Sequence, residues 1–285
     1  MPKISYLVST YNSADYLDRC IRDLMLQSEQ NFEIIIVNPN SPDRDDEIAQ
    51  EWLDRDSRIR YFYVKEREPY GQSWLRAWQQ AESPIVCNAN TDDTRHYMFG
   101  TYVISALEST DGIAFVYPGV NVVNQKGIYT GGGERGPFDR NVFKKECHGG
   151  PCVAWRTSLR DEVNMDEAWE RAGVYTSAFD YWLWLKFMSL GYDGKVLYGV
   201  PVTYTQRPDS IENSSGPKST WQSFCAISEF FPEAIQEIGK EALDFLSFPV
   251  VPPQDEWCEM MKTKIGPDDI KRWDGAKINI FAERV

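Results

Sequence analysis

Apolar positions along the N-terminal part of the chain recur in two alternating rhythms. Short runs rich in β-branched and aromatic residues, Lys3–Val8, Phe32–Val37, Ile59–Val64 and Ile85–Asn88, predict strands. The second run is almost wholly apolar, as a strand buried on both faces is. Between the first two, Leu17, Cys20, Ile21, Leu24 and Met25 fall at helical spacing on one face, with Ser13 placed to cap the helix. Asp45–Leu53, Gln72–Ala81 and Arg95–Leu107 predict the helices that follow. The order βαβαβαβα predicts an α/β fold, a Rossmann-like, mostly parallel sheet flanked by helices.

After Tyr117 the pattern breaks. Gly127–Gly136 and Cys147–Pro151 predict long irregular or hairpin segments over a site, because loops of that length are usually functional or disordered. Tyr181–Leu190 is apolar nearly all round and stops at Gly191, which predicts a buried helix with a glycine end. Phe248–Pro253 has the composition of a linker. The expected division is therefore one domain over 1–247, made of halves 1–117 and 118–247, followed by a linker and an irregular C-terminal extension over 248–285. No internal repeat or low-complexity tract interrupts it.

A composition of 42% hydrophobic, 14% aromatic and 26% charged residues supplies material for a substantial core. No run approaches the ~20 apolar residues of a membrane span, and the chain opens on a strand rather than a charged-then-apolar leader, so a cytoplasmic protein is expected. The six cysteines are scattered through apolar runs and read as buried thiols. Cys147, His148 and Cys152 cluster without a second ligand pair, too little for a zinc site. A formal net charge of −13 sets the surface against nucleic acid and anionic membranes. Any phosphate-bearing ligand then requires a local cation. Nothing in the pattern fixes the oligomeric state, and an oligomer is compatible with it.

In an open α/β sheet ligands bind beyond the carboxyl ends of the strands. Ser9-Thr10-Tyr11-Asn12 follows the first strand, Asn38-Pro39-Asn40-Ser41 the second and Asn90-Thr91-Asp92-Asp93 the fourth. Tyr11 among hydroxyls suits either a base-stacking platform or an ordinary turn and cap. Two adjacent acids in an acidic protein repel unless a cation or helix N-terminus intervenes. Asp93 fits the cap of the helix expected near Arg95, which leaves Asp92 as the better ligand for Mg²⁺ or Mn²⁺ shared with diphosphate oxygens. Arg76 offers a second positive group. Asp180 sits in Ala178-Phe179-Asp180-Tyr181-Trp182-Leu183-Trp184, where desolvation suits a general base and helix capping is the equal alternative. The tryptophans around it read as core.

These segments, in this order, resemble family-two inverting glycosyltransferases of the GT-A fold, over about Lys3 to Ser210. Thr10-Tyr11-Asn12, preceded by Ser9, is similar to the family's first turn. Gly71, Ser73 and Arg76 resemble the glycine-led helix before its acidic motif, and Asn90-Thr91-Asp92-Asp93 falls where the family has Asp-x-Asp-Asp. The resemblance implies that Asp92 binds the metal and Asn90 touches the donor ribose. Phe179-Asp180-Tyr181-Trp182-Leu183-Trp184-Leu185-Lys186 is similar to the segment whose aspartate is the catalytic base, which implies that role for Asp180. Gly149-Gly150-Pro151 to Trp155-Arg156 resembles the acceptor-side segment, so Gly149, Gly150, Trp155 and Asp180 are the implied acceptor contacts. The halves 1–117 and 118–247 become donor-binding and acceptor-binding.

The chain also departs from that pattern. Asn38-Pro39 stands where the family has two aspartates, one of which reads the base, so Asn38 and Asn40 are expected beside a base of open identity. Asn90 is neutral. Arg207 replaces a frequent metal-binding histidine and is expected to bind diphosphate directly. The implied activity is transfer of a sugar from a nucleotide-sugar donor to a hydroxyl acceptor with inversion, assisted by a divalent metal. A non-catalytic sugar-nucleotide or glycan-binding protein of the same fold is the alternative. A nucleotidyltransferase ranks third, because Ser9–Ala14 contains no glycine, lysine or arginine to cradle a triphosphate.

Overall fold

β-branched and apolar side chains on both faces make Phe32–Pro39 a strand that only a sheet covered on both sides can hold, and all of it is buried. The computed structural model describes residues 1–208, 210, 217–241 and 253–255. They form two compact units, one of Met1–Phe138, Gly149–Thr176 and Leu190–Gln206, the other of Asp139–His148, Ser177–Ser189 and the described part of Arg207–Val285.

The first unit contains the sheet. β1 (Ile4–Ser9) pairs in parallel with β2 (Phe32–Pro39) and with β4 (Ile85–Asn88), and β2 pairs in parallel with β3 (Ile59–Val64). The connecting helices are α1 (Ala14–Met25), α2 (Asp45–Leu53) and α3 (Tyr70–Gln80). Leu17, Cys20, Ile21 and Leu24 of α1 are fully buried, as their spacing predicts. Ser13 precedes α1, but its hydroxyl donates back to the Tyr11 carbonyl at 3.1 Å. The amides there are satisfied from α2's side instead: Asp45 accepts from Ser13 N at 3.2 Å and Asp43 from Ala14 N at 3.2 Å.

The helix expected over Arg95–Leu107 begins later. Thr94–Arg95 is a short strand, β5, and α4 spans Phe99–Glu108. The reason is Arg95, whose amide donates to the Asp23 carboxylate and whose side chain is fully buried, a placement that commits it to the sheet. The sheet continues through β6 (Ile113–Asn124), β7 (Tyr129–Gly133), β8 (Ala154–Arg156) and β9 (Asp193–Gln206). Its order is β3-β2-β1-β4-β8-β6-β9-β5, with β7 pairing β6 off this path. β6 and β9 run parallel, whereas β5, β7 and β8 join antiparallel. The glycine-rich stretch is thus a hairpin. Gly132, with φ of +91°, has no room for a Cβ, which would meet the Val120 carbonyl oxygen at 2.0 Å. α6 (Met165–Val174) is capped by the Asn164 side chain.

The second unit is helical: α5 (Arg140–Phe143), α7 (Phe179–Ser189), α8 (Pro217–Phe230) and α9 (Pro232–Glu241). α7 is buried all round, and Trp182 packs between Phe179 at 5.7 Å and Phe230 at 5.5 Å. The Tyr181 hydroxyl donates to the Phe143 carbonyl at 2.8 Å. Apart from residues 253–255, the expected linker and tail lie outside the described residues. Among the described residues no helix is long and apolar enough to cross a membrane.

Candidate functional site

From β1 the chain builds outward through β2 to β3, then returns to place β4 on the other flank of β1. That reversal of strand order sets the loops that follow β1 and β4 at the carboxyl ends of adjacent strands, the place where open α/β sheets bind ligands. Ser9–Asn12 and Asn90–Asp93 are those loops, with Asn38–Ser41 next to the first. Asn12 and Asn40 adopt left-handed φ values of +50° and +55°, a conformation asparagine tolerates better than most residues. The two turns are joined where Ser41 Oγ accepts from the Asn12 amide at 3.0 Å.

Thr10 is fully buried, its amide donating to Val37 O at 3.0 Å, and its hydroxyl has no partner among the described residues. Neither has the side-chain amide of buried Asn88 at the end of β4. Buried polar groups of this kind are normally satisfied by water or a ligand. The Arg67 guanidinium lies over the Tyr11 ring, 3.5 Å from its centre, so this platform already carries a cation. Asn38 is spent internally. Its oxygen accepts from Ser41 N at 2.8 Å and its amide donates to the Tyr61 hydroxyl at 3.0 Å, which donates to Asp46 at 2.5 Å. Asn38 therefore shapes the turn through both ends of its side-chain amide. Burial first, then Asp46, pushes the Tyr61 phenol well up. Asn40 is held by the Tyr63 hydroxyl at 2.7 Å.

The acidic loop divides its two carboxylates. Asp93 is fully buried and does not cap α4; its oxygens accept from Thr205 N at 3.3 Å and Asn90 Nδ2 at 3.1 Å. Burial and the neighbouring Asp92 push its carboxyl up to about 7 against the pull of Arg95. Asn90, expected at the ribose, turns its amide onto Asp93. Asp92 is half-buried, and its carbonyl oxygen accepts from Arg19 and from the Thr205 hydroxyl, each at 2.7 Å.

No group of three His, Cys, Asp or Glu residues that could hold a metal occurs among the described residues. A hard divalent ion bound to a nucleotide needs less, one or two carboxylates plus phosphate oxygens and water. With Asp93 committed and Asn90 neutral, the loop fits a metal shared with a diphosphate through Asp92, not one caged by protein alone. In the Cys147–Cys152 cluster His148 pairs with Glu146 at 2.7 Å. Cys20, Cys87 and Cys152 are buried as expected, while Cys147 and Cys225 are half-buried.

Gly71 is buried in the first turn of α3. Arg76, expected to offer a positive group to the donor, pairs with buried Glu68, its Nε and a terminal nitrogen donating at 3.3 and 2.9 Å. Glu68 also accepts from Ser73, and the Trp169 ring lies 5.1 Å from the guanidinium. Gly150, next to Gly149, has a φ of +60°. Trp155, expected on the acceptor side, is fully buried and edge-on to Trp78 at 5.5 Å. Asp180 and Arg207 belong to the second unit, Asp180 in the first turn of α7 and Arg207 directly after β9. Sequence reasoning missed Arg67, Arg95 and Thr205. Thr205 lies two places before Arg207, but only the strand pairing brings it to the acidic loop.

The family model for "Glycosyl transferase family 2" matches residues 5–164, more than half the chain. Among curated relatives, a teichoic acid poly(glycerol phosphate) polymerase of Staphylococcus epidermidis is 27% identical over 114 residues, covering 40% of this chain and 16% of that protein. The uncharacterized glycosyltransferase EpsJ of Bacillus subtilis is 40% identical over 63 residues, 22% of this chain and 18% of its own length. The matched stretches are thus a minor part of those relatives. Among solved structures, S. aureus TarS 1–349 in complex with UDP aligns with a TM-score of 0.58 at 17% identity, covering 95% of this chain and 78% of that one. The mannosyltransferase PcManGT from Pyrobaculum calidifontis, in complex with GDP-Man and Mn²⁺, aligns with a TM-score of 0.63 at 14% identity, again covering 95% and 78%. At such identities the structures establish the fold, which is GT-A, and the family match shows that this chain belongs to glycosyltransferase family 2.

Proposed function

We propose that the protein transfers a sugar from a nucleoside-diphosphate sugar to a hydroxyl acceptor with inversion, in the biosynthesis of a glycan or polysaccharide. The observation that carries this reading is the pair of polar turns, Ser9–Asn12 and Asn90–Asp93, flanking the reversal of strand order in the sheet. Tyr11, Arg67 and the unpartnered Thr10 hydroxyl suit the nucleoside end of a donor. Asp92 would hold Mg²⁺ or Mn²⁺, which when bound offsets the charge of the departing diphosphate. Arg207 is assigned to the same diphosphate. Residues 1–117 then form the donor half and 118–247 the acceptor half.

Asp180 takes the proton from the acceptor hydroxyl. The freed oxygen pair attacks the anomeric carbon from the face opposite the diphosphate, and the carbon–oxygen bond to that group breaks with its electrons. The nucleotides in the solved structures' complexes, UDP and GDP-Man, define the first donor classes to try.

The test is a screen of UDP- and GDP-sugars with Mn²⁺ for donor hydrolysis or transfer, on the parent protein and on Asp180→Asn and Asp92→Asn. Asp180→Asn should lose turnover and keep donor binding, while Asp92→Asn should lose metal-dependent binding. Full activity in Asp180→Asn would discard the base assignment. Binding without turnover in the parent would favour the non-catalytic reading.

A further inference from the structure

The Asn90–Asp93 loop is held from outside at three successive anchor points. Arg95 donates to the Asn90 carbonyl at 3.1 Å and to the Asp93 carbonyl at 3.2 Å. Between them, Arg19 and the Thr205 hydroxyl both donate to the Asp92 carbonyl at 2.7 Å. The Thr205 amide reaches the Asp93 carboxylate at 3.3 Å, so this one residue of β9 grips both acids, one through its backbone and one through its side chain.

The grip is anchored in the core. The Arg95 side chain is fully buried, an expensive place for a cation unless it is paired, and Asp23 of α1 pairs it at 2.8 Å. The same Asp23 carboxylate takes the Arg95 amide with both oxygens at 3.2 Å. The terminal nitrogens of Arg95 are spent on loop carbonyls and Asp23 and its Nε is buried, so it acts on a ligand only through the loop. A binding loop that must be ordered at the moment of binding loses affinity to that ordering, whereas one ordered beforehand does not.

We infer that Thr205 is a positioning residue which, with Arg95 and Arg19, fixes the Asp92 backbone so that its carboxylate is presented in one place before donor and metal arrive. This rests on the reading of Asp92 as the metal ligand. Thr205→Val keeps the shape and the backbone amide but removes the hydroxyl donor, and Thr205→Ser restores the donor.

The measurement is calorimetric titration of UDP and of GDP at a series of MnCl₂ concentrations. Loss of one hydrogen bond should raise the Mn²⁺ concentration needed for half-maximal nucleotide binding about three- to tenfold in Thr205→Val. Thr205→Ser should lie close to the parent, and the ligand-free melting temperature of Thr205→Val should fall by only about 2–4 °C. An unchanged Mn²⁺ requirement in Thr205→Val, or a loss that serine does not restore, overturns the inference. Should Thr205→Val not fold, Arg19→Ala, on the exposed side of α1, removes the other donor to the same oxygen and must shift the Mn²⁺ requirement in the same direction. Failure of the underlying reading looks different: Asp92→Asn would then bind both nucleotides with the parent's Mn²⁺ dependence, and the inference would fall with it.

Discussion

Asp92 and Asp93 are neighbours in sequence with different surroundings, and burial decides between them. Asp93 keeps its proton up to about pH 7 in the folded chain, against an ordinary value of 3.8. The folded state therefore binds a proton that the unfolded state has released, and stability falls as pH rises between these values. Asp93→Asn, neutral throughout, should remove that slope and gain on the parent by up to about 2–4 kcal/mol between pH 4 and 7. Urea unfolding in metal-free buffer across this range gives the comparison. Parallel pH profiles for parent and variant would mean that the buried carboxyl does not carry the effect. Asp93's role was not legible in sequence because its partner Thr205 lies 112 positions away, whereas a helix cap is the local use such a residue most often has.

At the scale of elements, local period and burial on both faces made β1 to β4 and α1 to α3 legible, since each carries its own signature within a few residues. The reading failed where an element is defined by its partner. β5 and β8, two and three residues long, have no period to read and exist only through β9, β4 and β6. The polar turns of the site followed from the strand ends. The residues that hold them, Arg95 and Thr205, did not, because a buried arginine and a rim threonine look like surface residues in a list of types. The β6–β7 hairpin offers a direct test of partner-defined structure. Gly132→Ala brings a methyl group against the Val120 carbonyl at a φ that disfavours any side chain. It should cost about 1–3 kcal/mol locally. Amide hydrogen exchange should rise over Tyr129–Gly133 and Val120–Val123, with β1 to β4 unchanged. Protection equal to the parent's would show that the turn adapts.

For the molecule as a whole, a net charge of −13 opposes the approach of an anionic donor, so the local cations must act against the mean field. Raising ionic strength from 0.01 to 0.15 M shortens the screening length from about 30 Å to about 8 Å. With Mn²⁺ saturating, the association rate constant of UDP or GDP in stopped-flow should therefore rise with salt. A fall would mean that the cations around the polar turns dominate the field.

The position of β8 also bears on how the polypeptide emerges during synthesis. β1 to β4 and their helices come from one uninterrupted stretch and can pair as soon as it is available, but the outer edge of β4 is covered only when Ala154–Arg156 arrives. Until then a growing chain presents the open hydrogen-bonding side of a largely apolar strand, a template for aggregation. A nascent chain whose emerged part ends shortly before β8 should accordingly engage chaperones, and release from them should follow once those three residues leave the ribosome.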